Sequence, residues 1–225
     1  TARRSAIARS MALSKSTIPH FYILRDVEMS QSVRLRAYLG SVWGDKPSYT
    51  VLLVKACALA LRDFPALNVN LREDRLYPRR TIDIGVAVAV PPAPGETDSG
   101  LVVPVVRQAD GKSLREIAQE LESLVERARS NRLRADDLEA SGRSLTISNL
   151  GMYRADAFVP IIYPPDPMLI AAGAVVERPW VEDGQLVVRP VLTLTLAADH
   201  RVMDGVSGAE YIDRVREILE HPYMQ

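Results

Sequence analysis

The stretch that most constrains this fold lies between residues 192 and 220. Leu192-Thr193-Leu194-Thr195-Leu196 alternates strictly, so a strand here turns leucines to one side and threonines to the other. The strand continues through Ala197, Ala198 and Asp199 to His200, and a turn then closes on Asp204-Gly205. From Gly205 to Glu220, Ile212, Val215, Ile218 and Leu219 recur at helical spacing. Strand end, histidine, Asp-Gly turn and helix N-terminus therefore fall close together. Ionisable groups collected at the mouth of a sheet are where chemistry is commonly built. Taken alone, a histidine near an aspartate reads first as a hydrogen-bonded structural pair.

The remaining periodicities supply the layers this strand needs. Residues 2–15 lack breakers and read as a surface helix, and Pro19 ends that segment. His20 to Met29 reads as a strand with Phe21, Ile23, Arg25 and Val27 on one face, and Ser30 to Tyr38 as a helix capped by Ser30 or Ser32. Thr50 to Phe64 is apolar nearly all round but too short to span a membrane, so it is expected as a buried helix. Residues 82–90 alternate bulky Ile82, Ile84, Val86, Val88 and Val90 with small Gly85, Ala87 and Ala89. One strand is expected, with a face that something can approach closely, paired through a Pro91–Ser99 loop with a strand from Leu101 to Val106. Ser113-Leu114-Arg115-Glu116 is a capping box opening an amphipathic helix. Ser144 to Ser148 reads as a strand, Pro164-Pro165-Asp166-Pro167 as a turn, and Met168 to Val176 as a strand covered on both faces. Asp183-Gly184 marks a hairpin into Leu186–Leu196. Helices and strands interleave with antiparallel hairpins and no repeat, which predicts one α+β domain with a mixed sheet over residues 1–225.

Charge and residue counts exclude several functions. The 28 basic and 28 acidic residues cancel, so nothing points to nucleic acid or an anionic membrane as partner. Cys57 is the sole cysteine and lies in an apolar run, which reads as core and implies a reducing compartment. Three histidines, one cysteine and no His-Glu-x-x-His leave no metal site. No Gly-x-Ser-x-Gly elbow and no phosphate-binding glycine loop occur. What remains is a lone histidine as general base with a hydroxyl elsewhere. Ser148 is the best such hydroxyl, because it too ends a strand at a turn; its bland alternative is a turn serine bonding its own backbone.

Asp199-His200-Arg201-Val202-Met203-Asp204-Gly205 closely resembles the signature of dihydrolipoamide acyltransferases, the E2 catalytic cores of 2-oxo acid dehydrogenase complexes. Ser14-Lys15-Ser16-Thr17-Ile18-Pro19-His20-Phe21, Phe64-Pro65-Ala66-Leu67-Asn68 and Ile84-Gly85-Val86-Ala87-Val88 match in order. So do Gly100-Leu101-Val102-Val103-Pro104-Val105, Leu145-Thr146-Ile147-Ser148-Asn149-Leu150-Gly151 and Pro164-Pro165. The resemblance spans essentially the whole chain. It implies a chloramphenicol acetyltransferase-like mixed sheet flanked by helices, assembled as a homotrimer with active sites between subunits. It further implies acyl transfer between a dihydrolipoyl thiol and coenzyme A as substrates, without a metal. His200 would be the general base, Ser148 of a neighbouring subunit the oxyanion donor, and Asp204 structural support ion-paired to an arginine of the N-terminal region. The E1 and E3 components and a lipoyl domain would be partners, in the cytoplasm of a bacterium or the mitochondrial matrix of a eukaryote.

This chain departs from the family pattern in places. Gly142-Arg143 stands where Gly-Gly is frequent, bringing a large cation near the site, and Tyr163 stands where asparagine is common. The Pro91–Gly100 loop is longer and richer in proline. The end His221-Pro222-Tyr223-Met224-Gln225 lacks the apolar tail that joins trimers into cubic or dodecahedral cores, so a trimer alone is expected unless a tail has been cut away. The chain starts at Thr1, which suggests a piece of something longer. No Asp-Lys-Ala lipoylation context surrounds its lysines, so the lipoyl group must come from a domain outside it, as must any subunit-binding domain. Two rivals remain: a same-superfamily acyltransferase with another acceptor, and a non-catalytic core scaffold. Condensation domains carry paired histidines and are twice this length, and scaffold paralogues lose the histidine that this chain keeps.

Overall fold

The computed structural model describes residues 2–73, 75–92, 99–138 and 142–223, with side chains from residue 4. In chain order the elements are α1 (Ala2–Thr17), β1 (His20–Glu28), α2 (Ser30–Trp43), α3 (Tyr49–Asp63), β2 (Val69–Arg72), β3 (Arg75–Pro78), β4 (Ile84–Val86), β5 (Val88–Val90), β6 (Gly100–Val102) and β7 (Val105–Val106). They continue with α4 (Leu114–Arg129), β8 (Leu145–Asn149), β9 (Met168–Ala172), β10 (Val176–Glu182), β11 (Gln185–Asp199) and α5 (Gly205–Glu220). The main sheet runs β1-β11-β9-β8-β4-β7, with β10 also pairing β11. Strands β4, β8 and β9 are parallel; β1, β10 and β7 pair antiparallel to their neighbours, as does β11 to β9. The sheet is mixed, as the interleaved pattern predicts.

The alternation in β11 decides which way the sheet faces. Leu192, Leu194, Leu196 and Ala198 join the core cluster with Leu145, Ile147, Met168 and Ile170 from the neighbouring strands. Over that face lie α3, packed between α4 and α5, and α5, which also runs along β1. Ten residues of α3 are buried, as an all-round apolar helix requires. Cys57 sits there with no exposed surface, and burial pushes its thiol up to about 12. The opposite face carries Thr146, Leu169, Ala171, Thr193, Thr195 and Ala197, which are buried as well. The Asp183-Gly184 turn joins β10 to β11 with both residues at positive φ, 49° and 76°.

Several local expectations need correction. The helix after β1 is capped by Met29, with no side-chain cap bond, rather than by Ser30 or Ser32. Ser32 is buried and donates to the Leu219 carbonyl of α5, so tertiary contact claimed that hydroxyl. Residues 82–90 form two short strands instead of one. Val86 N–H bonds the Pro104 carbonyl and Ala87 N–H the Ile147 carbonyl, while Pro104 has no N–H to return. Beyond that break β5 pairs with β6. Residues 93–98 of the proline-rich loop lie outside the described residues, as do Met224 and Gln225. The strand expected to reach Val176 stops at Ala172. Gly173 N–H then bonds the Thr193 carbonyl and Ala174 N–H the Ala155 carbonyl. The β2–β3 hairpin was not anticipated. By contrast, α5 has the bounds that its periodicity gives, and α4 carries both hydrogen bonds of its capping box.

Candidate active site

His200 stands just past the end of β11, exposed, at the entrance to the turn. Its backbone N–H donates to the Pro19 carbonyl at 3.0 Å, and Asp199 N–H donates to the Pro167 carbonyl at 3.0 Å. Two proline carbonyls therefore hold the strand end, since prolines leave their acceptors free while contributing no donors. The imidazole lies against Phe21, with ring centroids 4.9 Å apart and planes at 58°. Asp199 is only 3% exposed, and its carboxylate is taken by Arg201, which donates from its backbone N–H (3.0 Å), Nε (3.0 Å) and Nη2 (2.8 Å). It is thus engaged elsewhere than with the ring beside it.

Asp204 caps α5. Its Oδ1 accepts Ser207 N–H at 2.8 Å and Ser207 Oγ at 2.6 Å. These hydrogen bonds hold its carboxyl below the ordinary carboxylate range, with a smaller contribution from the nearby His200. The arginine partner expected for Asp204 is not found among the described residues of this chain. The helix N-terminus, whose free N–H groups need acceptors, satisfies the carboxylate instead.

Ser148 lies at the other end of the sheet. It is opposite Ala171 of β9, and Ala171 is opposite Thr195 of β11, five residues before His200. At standard strand rise and spacing the two side chains are roughly 17 Å apart along the strands and about 10 Å across them. One chain does not bring them together.

The turn after Ser148 is built on close backbone packing. Leu150 N–H bonds the Ala172 carbonyl, Gly151 N–H bonds Asn149 Oδ1 at 2.8 Å, and Asn149 Nδ2 reaches Thr50 Oγ1 at 3.2 Å. A Cβ on Gly151 would lie 2.6 Å from the Gly173 carbonyl oxygen, and one on Gly173 would collide with the Asp156 carbonyl. Ser148 and Asn149 line a cleft of about 860 Å³, large enough for a small-molecule substrate. The cleft walls carry Arg36, Lys46, Arg115 and Arg129 against Asp45 and Glu122, a cationic excess. Two of these arginines lie over rings, Arg36 at 4.7 Å from Tyr49 and Arg115 at 5.8 Å from Trp43. Periodicity gave no signal for this cleft, because its walls come from segments far apart in sequence.

Arg143 is the large cation expected near the site. It precedes β8, at the end of the sheet nearer His200, and is buried in an ion pair with Asp166. Gly85 leaves the room for it: a Cβ there would strike Arg143 Cδ and lie 2.8 Å from Thr146 Oγ1. This is the close approach that the small residues of 82–90 foreshadow. His20 is a structural histidine. Its Nε2 accepts Ile162 N–H at 3.1 Å, so Nδ1 carries the proton toward the Ile18 carbonyl at 2.9 Å. Among the described residues there is no cluster of metal-ligating side chains, and no helix is long and apolar enough to cross a membrane.

Comparison with known proteins gives a consistent picture. Residues 1–224 match the model of the 2-oxoacid dehydrogenases acyltransferase (catalytic domain) family. The chain is 36% identical over 226 residues to the dihydrolipoyllysine-residue acetyltransferase component of the pyruvate dehydrogenase complex of Rhizobium meliloti, covering 97% of this chain and 48% of that protein. It is also 36% identical over 222 residues to the lipoamide acyltransferase component of the branched-chain alpha-keto acid dehydrogenase complex of Pseudomonas aeruginosa, covering 97% and 50%. The chain thus spans about half the length of the curated relatives it matches. A crystal structure of Azotobacter vinelandii dihydrolipoamide acetyltransferase superposes with a TM-score of 0.90 at 31% identity, over 100% of this chain and 90% of that one. That study concerns a serine, a histidine and an asparagine in the catalytic mechanism. The serine and histidine are 52 positions apart, as Ser148 and His200 are here, and the asparagine follows the histidine by four, where this chain has Asp204. At 13% identity and a TM-score of 0.54, a chloramphenicol acetyltransferase shares the fold.

Proposed function

The chain belongs to the 2-oxoacid dehydrogenases acyltransferase (catalytic domain) family, and from that premise we propose that it moves an acyl group between a dihydrolipoyl thiol and coenzyme A. The 225 residues are read as one acyltransferase domain. The lipoyl group is brought by a domain outside them, and E1 and E3 components are the further partners of the complex. Relatives equally similar to it bear names for acetyl and for branched-chain work, so the proposal covers acyl transfer as a class.

The observation that carries this reading is the separation of His200 from Ser148 to opposite ends of one sheet. A base without an oxyanion donor and a donor without a base make sense if two copies of the chain meet, His200 of one beside Ser148 of the next. A closed ring of three such contacts is the homotrimer we infer. The spacing shared with the Azotobacter serine and histidine supports the same pairing.

Exchange of one thioester for another is nearly balanced, so catalysis needs a deprotonated thiol and a stabilised oxyanion. A free thiol is only a few per cent ionised at neutrality, and an imidazole with a reference pKa near ~6.5 is suited to take its proton. The thiolate of the incoming substrate adds to the thioester carbonyl, and the resulting oxyanion accepts a hydrogen bond from Ser148 Oγ. Collapse breaks the bond to the outgoing sulfur, which receives the proton held by His200. Asp204 keeps α5 capped, and Pro19 and Pro167 hold the strand end through its backbone. The cleft beside Ser148, with its arginines and lysine, suits a polyanionic thiol such as coenzyme A.

Mixing chains tests the shared site. His200→Ala and Ser148→Ala chains, unfolded and reassembled together, are expected to regain transfer that neither supports at the wild-type level. In random trimers about a quarter of the interfaces combine both wild-type residues. No recovery on mixing would place the two residues in separate sites, and no thioester exchange by the wild type would end the acyl-transfer reading.

A further inference from the structure

The buried ion pair of Arg143 and Asp166 lies outside both walls of the proposed site, yet it stands at the His200 end of the sheet. Arg143 is 4% exposed and Asp166 3%. The carboxylate accepts the Arg143 backbone N–H (2.9 Å), Arg143 Nε (2.9 Å) and Thr146 Oγ1 (2.6 Å). The guanidinium carbon lies 5.4 Å from the centre of the Tyr163 ring. Its Nη2 is buried with no hydrogen-bond partner. Desolvating two charges and leaving a donor unsatisfied is a poor way to gain stability, because well-packed apolar residues commonly do as well or better. Such a pair does fix geometry: the backbone N–H and the Nε of one residue grip the two oxygens of a single carboxylate, which permits few arrangements.

The geometry it fixes leads directly to His200. Pro167 follows Asp166, and its carbonyl holds Asp199 N–H. At the other end of the same segment, Ile162 donates its N–H to His20 Nε2 and accepts Ser14 Oγ at 2.7 Å. Pro19, beside His20, accepts His200 N–H. Segment 162–167 is therefore tied to both backbone contacts that set the strand end.

The geometry points to Arg143 as a positioning residue for His200: through Asp166 it locks segment 162–167, and through Pro167 it fixes the end of β11 that presents the imidazole. This rests on the acyl-transfer reading of His200, while its effect on the backbone can be measured independently.

Arg143→Met alone strands a buried carboxylate, so the informative variant is Arg143→Met with Asp166→Leu, made in the intact protein. It is expected to melt no earlier than the wild type while kcat falls about tenfold or more, with KM for both thiol and acyl donor within about twofold. Amide hydrogens of Asp199 and His200 are expected to exchange about tenfold faster, with those of α3 unchanged. Arg143→Lys, which keeps the charge but loses the Nε–H donor to Asp166, should fall between. A folded double variant with wild-type kcat overturns the proposal, as does unchanged exchange at Asp199 and His200, a rise in KM with kcat intact, or a double variant that does not fold. Absence of thioester exchange in the wild type would sink acyl transfer instead, and amide exchange would still decide whether the pair holds the turn.

Discussion

The two ends of the sheet are built on different physics. At the His200 end, position is set by long-range polar contacts: proline carbonyls on Asp199 and His200, a buried Arg143–Asp166 ion pair, and a capped helix after the turn. At the Ser148 end it is set by contact between backbones, with Gly151 and Gly173 letting two segments touch where a side chain has no room. Polar contacts leave the imidazole exposed and able to meet another molecule. Backbone packing gives a rigid wall for a cleft. On the proposed mechanism, a base that must gain and lose a proton and a donor that must stay still are thus served by unlike supports.

The largest test of this contrast compares the two side chains proposed for catalysis. His200→Ala is expected to abolish transfer, whereas Ser148→Ala should lower kcat by ~10²–10³ with little change in KM; steady-state rates with both thiols decide, and full activity in either variant removes that residue from the mechanism. Next come two glycines. Gly173→Ala forces a Cβ onto the Asp156 carbonyl, and denaturant unfolding should show a loss of about 3 kcal/mol, together with slower turnover. Gly205→Ala at the other end meets nothing within 4 Å and should stay within ~0.5 kcal/mol of the wild type. Equal effects would dissolve the distinction between the ends.

The smallest expected effect is at Asp204. Its carboxyl titrates below the ordinary range in the folded chain because Ser207 donates to it. Its stabilising contribution is therefore full above the ordinary carboxylate pKa and is lost as pH falls through the lowered folded value. Asp204→Asn keeps a side-chain cap but should flatten that acid limb in thermal melts recorded against pH, while Asp204→Ala should lower the melting temperature at neutral pH as well. An Asp204→Asn chain with an unchanged acid limb would assign the limb to other carboxylates.

Elements with a strong local signal were legible in the sequence. The apolar run of α3, the capping box of α4 and the 3.6-residue pattern of α5 each fix a helix by interactions within one stretch. The β2–β3 hairpin gave a weaker signal: Val69-Asn70-Leu71-Arg72 alternates over only four residues, and its partner Arg75–Pro78, exposed throughout, does not alternate. Ser32 looked like a cap because hydroxyls favour helix starts, but a carbonyl of α5 claimed it. At the candidate site, His200 and Ser148 were legible as strand-end residues in a recognisable motif. What Arg143 does was not, because its partner Asp166 is 23 residues away and only the folded sheet brings them together.

On the proposed transfer between two thiols, Cys57 has a consequence of its own. Any accessible thiolate on such a protein would compete for the acyl group and leave it trapped as a dead-end thioester. It could also be drawn into a mixed disulfide with an oxidised substrate. The single thiol of these 225 residues is buried in α3 and pushed up to about 12, so it is neither reachable nor ionised near neutrality. On the acyl-transfer reading, the chain handles sulfur chemistry while offering none of its own to the reaction.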